Sequence, residues 1–297
     1  MKVLVIGATG YIGSHIAQRL VRAGHAVSGT ARSAGGAERV AGLGALPVIS
    51  DLIELHSLDR AITDADAVVY AAQLLLEPEY DTLAALVERL AGGGKSLIFT
   101  SGSGVLSQKT DGDWSEDSFA EADDFVPSKW LVRRVETETL VRSAADRGVR
   151  AMVVRPPMIW GHGGCGLIEA FYASAARAGE VCYLGRGLNL YSNVHVDDLA
   201  EAYALAIERG TPGALYHCVA GEVAHRTLAE RVAGQLGCAT RSIGFDEAAK
   251  IWGKFLALII MSTCSRTRSP RARAELGWTP RHLDMLSDVA HAAYRDE

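Results

Sequence analysis

The chain has no apolar run long enough to cross a bilayer. Its candidate stretch, Phe255-Leu-Ala-Leu-Ile-Ile-Met261, falls far short of the roughly 20 residues a spanning helix needs. A buried helix, the lining of a greasy pocket or a dimer face is expected there, and no membrane partner. The opening MKVLVIG runs straight into strand-like residues, with no apolar h-region and no small-residue cleavage site. There is no excess of one charge: 30 basic and 35 acidic residues leave a formal charge of −5, so no nucleic-acid partner is expected. The five cysteines (165, 182, 218, 238 and 264) are odd in number and lack CxxC or metal-site spacing. That predicts small buried thiols, a reduced cytoplasmic setting and no metal site. Internal repeats and low-complexity linkers are also missing. With 48% hydrophobic and 22% charged residues the composition excludes disorder, and 297 residues suffice for one large or two modest domains.

The first half alternates short β-rich runs with helical patterns. Residues 3–6, 26–30, 47–49, 67–71, 96–100 and 151–154 read as strands, and 12–23, 58–62 and 81–90 as helices. Such alternation predicts a parallel sheet covered on both faces. Residues 130–147 read as the clearest amphipathic helix, with Leu131, Val135, Leu140 and Val141 apolar and Gly148 at its C-cap. After Arg155-Pro156-Pro157 the segments shorten and loops multiply, which predicts a smaller lobe over the carboxyl edge of the sheet.

The most specific motif is Gly7-Ala-Thr9-Gly10-Tyr11-Ile12-Gly13, lying after a strand and opening a helix. In that setting Gly7 allows the tight turn, Gly10 lets backbone approach a pyrophosphate, and Gly13 lets helix pack on strand. The helix amino end supplies free N–H groups and a favourable dipole. A ligand-free glycine turn is the bland alternative. At the end of the second strand, Thr30-Ala-Arg32-Ser33 offers no carboxylate for the ribose hydroxyls of NAD. The planar guanidinium of Arg32 suits a 2′-phosphate, so NADP is favoured over NAD, unless Arg32 is only a solvated loop charge.

Read together with Ser50-Asp51-Leu52, Tyr70-Ala71-Ala72-Gln73, FTSGSG at 99–104, Arg155-Pro156-Pro157, SNVHVDDLA at 192–200 and AELGWTP at 274–280, the motif resembles the extended, epimerase-like branch of the short-chain dehydrogenase/reductase superfamily. The resemblance implies an α/β fold: a doubly wound Rossmann-type parallel sheet with a smaller C-terminal substrate lobe. Residues 1–160 would form the dinucleotide domain, with 192–220 returning to it, and 161–191 and 221–297 the lobe. It also implies that Asp51 and Leu52 sit near the adenine, and that Ala71, Ala72 and Gln73, with Arg155 and Pro156, line the cofactor.

The superfamily's proton machinery is a Ser or Thr, then a Tyr with a Lys four residues on. This chain lacks that pair. In the closest register the Tyr position holds Trp130 and the Lys position Arg134; an offset register holds Phe125 and Lys129. Indole and phenyl rings do not donate useful protons, and arginine stays charged. The serine position falls on Gly102, between Ser101 and Ser103.

The catalytic candidates are therefore Ser101 and Ser103 for polarising a substrate oxygen, Trp130 and Arg134 for the nicotinamide end, and Tyr191 or His162 as stand-in proton donors. Ordinary packing or solvation is the bland reading of each. His195-Val-Asp197-Asp198 resembles a structural turn with an aspartate N-cap rather than a triad. Cys165 has nothing near it in sequence to activate it. Asp123-Asp124, Glu136 and Glu138 read as solvated charges. The leading expectation is an NADP-dependent oxidoreductase for a small, largely apolar carbonyl or alcohol, possible as a homodimer. A redox-neutral isomerase, dehydratase or cyclase, and a non-catalytic NADP sensor, are the alternatives.

Overall fold

The computed structural model describes residues 1–52 and 54–294, so the last three residues of the expected lobe lie outside the described residues. Its centre is a sheet whose strands are almost entirely apolar, because both faces are covered. In chain order the elements are β1 (Lys2–Ile6), α1 (Tyr11–Arg22), β2 (Ala26–Ala31), α2 (Ala34–Gly42), β3 (Leu46–Ile49), α3 (Asp59–Asp64), β4 (Ala67–Tyr70), α4 (Leu76–Leu90) and β5 (Ser96–Thr100). There follow β6 (Gln108–Lys109), α5 (Val132–Ser143), β7 (Arg150–Arg155), β8 (Met158–Trp160), α6 (Gly166–Ala178), β9 (Val181–Leu184), β10 (Leu190–His195) and α7 (Val196–Arg209). The chain continues through β11 (Leu215–His217), β12 (Gly221–Ala224), α8 (His225–Leu236), β13 (Thr240–Ile243), α9 (Phe245–Trp252) and β14 (Thr263–Cys264).

Seven strands form the main sheet in the order β11-β7-β5-β4-β1-β2-β3, and every pairing is parallel. The chain reverses direction of travel between β1 and β4, which opens a crevice at their carboxyl ends. One apolar core lies between the sheet and α1, α2 and α7, and holds Ile16, Leu20, Leu199 and Tyr203. A second lies on the opposite face under α3, α4 and α5, around Ile62, Leu86, Phe99 and Val141. The third belongs to α6, α8 and α9, packed round Phe171, Leu228 and Trp252.

β8, β10 and β12 make a separate three-stranded sheet, β9 pairs with β13, and β6 with β14. α7 packs on α1, and β11 closes one edge of the main sheet. The C-terminal Trp278 is fully buried in the first core, beside α7.

Two expectations are corrected here. The amphipathic helix is shorter, since α5 begins at Val132 and Trp130 lies outside it, 57% exposed. Its buried members are Thr137, Glu138 and Val141. Gly148 does end this segment, after a 3-10 turn, with a φ of 74°. The run 255–261 is not uniformly buried. Ala257 and Met261 enter the third core, but Phe255 is 77% exposed. Among the described residues no helix is long and apolar enough to cross a membrane.

Asp198, in the first turn of α7, ties the C-terminal segment to this framework. One carboxylate oxygen accepts from the backbone N–H groups of Arg281 (2.9 Å) and His282 (2.8 Å). The Trp278 indole donates to the Asp198 carbonyl at 2.8 Å. Removing the carboxylate leaves two N–H groups without their acceptor. Asp198→Ala should therefore cost about 2–3 kcal/mol of stability, measured as a shift in urea midpoint at unchanged slope.

Candidate active site

The turn after β1 is built by close backbone approach. Gly7 has a φ of 90°, and a Cβ there would sit 2.7 Å from the Ala72 nitrogen. At Gly13 a Cβ would lie 2.1 Å from the Gly7 carbonyl oxygen, so only glycine lets α1 come down onto β1. The Gly7 N–H donates to Thr30 Oγ1 at 2.9 Å, which locks the turn to the end of β2. Gly10 caps α1 with no side-chain hydrogen bond. The first-turn N–H groups thus lack a side-chain acceptor, the condition for holding an anion.

A cavity of about 520 Å³ opens at this point. The structure brings Gly7, Thr9, Gly10, Tyr11, Ile12, Arg32, Asp51, Leu52, Ala71, Ala72 and Gln73 to its walls. Gly13 lies beneath them. Thr30, Ala31, Ser50 and Leu74 also line it; none was among the residues expected to hold the cofactor, because small or apolar side chains carry no chemical signal of their own. Arg32 is exposed at the cavity, with no ion pair among the described residues. The Tyr11 hydroxyl donates to the Gly161 carbonyl at 2.7 Å, so the loop after β8 is pinned to the start of α1. The shape and chemistry fit a dinucleotide: glycine backbone and a helix amino end for a diphosphate, and a cation at the end of β2. A larger hollow of about 670 Å³ sits around Lys2, Leu4 and Arg60, at the amino ends of the strands where such helix termini do not point.

Other predicted residues are placed elsewhere. Arg155 is 4% exposed and gives both arms to Glu138, through Nε (2.8 Å) and Nη2. Pro156 is buried beside it, and its carbonyl accepts from the Ser103 N–H at 2.9 Å. That backbone bond sets the β5 turn against the end of β7. Glu138 also accepts from the Ser101 hydroxyl at 2.5 Å. Its side chain is only 3% exposed, which corrects the reading of Glu138 as a solvated charge. A carboxylate that far from water persists because an arginine and a serine satisfy it.

Arg134 is similarly occupied. Its Nη1 stands 2.6 Å from Oε2 of Glu79, a carboxylate 1% exposed on α4. The contact is an ion pair that lacks the alignment of a hydrogen bond. Burial pushes the Glu79 carboxyl up to about 7, although the guanidinium beside it pulls the other way. Tyr70 lies close enough to feel the Glu79 charge, and its own buried hydroxyl has no hydrogen-bond partner among the described residues. Trp130 is exposed, with the Lys129 ammonium 4.9 Å from its ring centre. Sequence reasoning missed Glu79, whose only signal is an acid on a helix with other acids.

Ser103 and Tyr191 are both buried among hydroxyls. Ser103 Oγ is 3.3 Å from Ser265 Oγ, and the Tyr191 hydroxyl is 3.4 Å from Ser107 Oγ. Burial raises the Tyr191 pKa above its ordinary value, against hydrogen bonds that lower it. Cys165 is completely buried and its thiol is pushed up to about 12, so it is no nucleophile. The cap of α7 is His195 itself, whose Nδ1 accepts from the Asp197 N–H at 3.1 Å. This corrects the expectation of an aspartate cap. Burial, with His282 adjacent, holds the His195 imidazole down to about 4. His162 is exposed and bonds Asp197 at 2.9 Å.

Residues 3–218 match the profile described as the NAD dependent epimerase/dehydratase family. An uncharacterized protein of Schizosaccharomyces pombe is 31% identical, over 99% of this chain and 100% of its own length. The 2-alkyl-3-oxoalkanoate reductase of Stenotrophomonas maltophilia is 29% identical, over 72% of this chain and 67% of its own. Among solved structures, dTDP-glucose 4,6-dehydratase of Streptomyces venezuelae, with NAD and TYD bound, superposes with a TM-score of 0.78. That likeness covers 100% of this chain and 97% of the other at 20% identity, and concerns the fold.

Two measurements test the buried pairs. Glu138→Ala strands the Arg155 charge and should cost about 3–5 kcal/mol in chemical denaturation. Glu79 holds its proton in the folded chain up to about 7, whereas the unfolded carboxyl loses it near the ordinary 4.5. The folded state therefore binds more protons between those values, and stability falls as pH rises through them. Glu79→Gln should flatten that slope, read from urea midpoints at the two ends of the window.

Proposed function

Because the chain belongs to the NAD dependent epimerase/dehydratase family, we propose that it is an NADP-dependent reductase of a small, largely apolar oxo compound. The observation that carries the cofactor choice is Arg32, exposed at the cavity at the end of β2 where an NAD site would need a carboxylate. The glycine turn and α1 would hold the diphosphate. Asp51 and Leu52 would lie by the adenine, and Ala71, Ala72 and Gln73 along the middle of the cofactor. When bound, the dinucleotide supplies or accepts hydride.

The substrate assignment is supported by the reductase relative, whose name describes an alkyl-bearing oxo acid. It is supported also by the apolar surface just before α5, where Val126 is 86% and Trp130 57% exposed. Ser101, only partly buried at the end of β5, is the hydroxyl assigned to orient the substrate oxygen, with Glu138 holding its rotamer. Arg134 and Arg155 act on neither substrate nor cofactor directly, because each is committed to a buried carboxylate. Their role is to hold α4, α5 and β7 in register behind the site. With Tyr191 and Ser103 enclosed, water is the proton source for the product oxygen.

Reduction is tested by loss of the near-ultraviolet absorbance of NADPH over a panel of alkyl ketones and 3-oxo acids. Turnover is expected with at least one. If no compound of the panel oxidises NADPH while the dinucleotide binds, the reductase reading fails. Product formed without any change in that absorbance would instead support the redox-neutral reading, in which a bound cofactor is either unused or recycled.

Arg32→Glu places a carboxylate beside the ribose. It should lower the preference for NADP over NAD by about tenfold or more, a charge-assisted pair being replaced by repulsion. Titrating both dinucleotides into the two proteins checks this. An unchanged NADP affinity removes Arg32 from the cofactor site.

A further inference from the structure

Five of the nine histidines, at 15, 162, 195, 282 and 291, converge on one region, although they are scattered along the sequence; it adjoins the cofactor cavity through Tyr11, whose ring meets His15 edge-on at 5.5 Å. At its centre is Asp197, in the first turn of α7. Its Oδ1 stands 3.0 Å from His15 Nδ1, on α1, and its Oδ2 2.9 Å from His162 Nε2, in the loop after β8. One donor atom from each of these three residues falls within 4.8 Å of the others.

We propose that His15, His162 and Asp197 form a binding site for a divalent transition-metal ion of the zinc class. Two imidazoles and one carboxylate are the donor set that such ions favour, and three protein ligands leave a position for water. All three side chains retain access to solvent, at 20%, 54% and 44% exposure, so an ion can enter and keep that water.

His195 and His282 make a second group of the same kind with Asp197, but their Nδ1 atoms are already engaged within the protein. His195 Nδ1 is taken by the Asp197 N–H, and His282 Nδ1 faces Asp198 at 3.2 Å. His195 Nδ1 lies 3.8 Å from Asp197 Oδ2, beyond hydrogen-bond reach, so the carboxylate oxygens face His15 and His162. The backbone supplies an independent sign. His162 has a φ of 53°, and only one other non-glycine residue among those described, Asp111, is in that region. Such strain persists where surrounding structure enforces it. Here it brings the His162 ring to 5.0 Å from His15, nearly parallel, across the seam between the glycine-turn helix and the second half of the chain. A bound ion would staple that seam. No step of the reduction is assigned to it.

The test uses the full chain, stripped with a chelator and dialysed. Zn²⁺ is titrated calorimetrically, and Co²⁺ is added separately for its visible spectrum. One equivalent of Zn²⁺ is expected, with a raised melting temperature. The cobalt form should show bands of low coordination number. His162→Gly removes one ligand while relaxing the strained backbone, so loss of folding does not confuse the result. It and Asp197→Asn should each weaken Zn²⁺ binding about tenfold or more. His56→Gln, an exposed histidine elsewhere, should leave it unchanged. Absence of a stoichiometric Zn²⁺ site, or equal binding by His162→Gly and the parent chain, overturns the proposal. Calorimetry and melting read this without reference to dinucleotide or turnover, so its failure and that of the reductase reading are separable.

Discussion

The contact on which the architecture turns is the approach of α1 to the end of β1. A helix can present its unpaired N–H groups at the centre of a parallel sheet only if its first turn lies almost on the preceding strand. Gly13 permits that by leaving nothing between helix and the Gly7 carbonyl, and Gly7 permits the turn by adopting a φ closed to most residues. The bond from Gly7 to Thr30 then joins the turn to β2, so the cavity wall carrying Arg32 is fixed relative to the helix terminus. Reversal of strand order between β1 and β4 leaves the space in front of that terminus open.

A second constraint is the disposal of charge behind the site. Two helices, α4 and α5, bring carboxylates into regions with almost no water, and each is met by an arginine. The two pairs differ. Glu138 is fully engaged, by both arms of Arg155 and by Ser101. Glu79 has Arg134 at 2.6 Å, yet burial outweighs that neighbour and drives its carboxyl toward the neutral form. The positions at which a tyrosine and a lysine would be sought hold an exposed indole and an arginine already committed to Glu79.

The central strands and the glycine turn were legible because their determinants are local. Val3 to Ile6 is apolar on both faces, as a covered parallel strand must be, and GATGYIG has few other uses between a strand and a helix. Helix α5 was harder. Its apolar residues suggested a conventional greasy face, yet of them only Val141 is buried, alongside Thr137 and Glu138, because Arg155 arrives from β7 to neutralise the acid. The stretch around Phe255 is divided: of its apolar residues Ala257 and Met261 enter the core, while Phe255 points outward, so a uniformly buried helix is excluded there.

By itself the sequence determined the alternation of strand and helix, the glycine turn between β1 and α1 and the presence of arginine at the end of β2, since each depends on residues adjacent in the chain. Tertiary structure alone decided which charges are buried, which hydroxyls are enclosed, and that histidines 15, 162 and 195 meet at one aspartate. Those outcomes depend on distances between segments far apart in the chain. No local pattern encodes them, because burial and pairing are properties of the space between elements rather than of any one element.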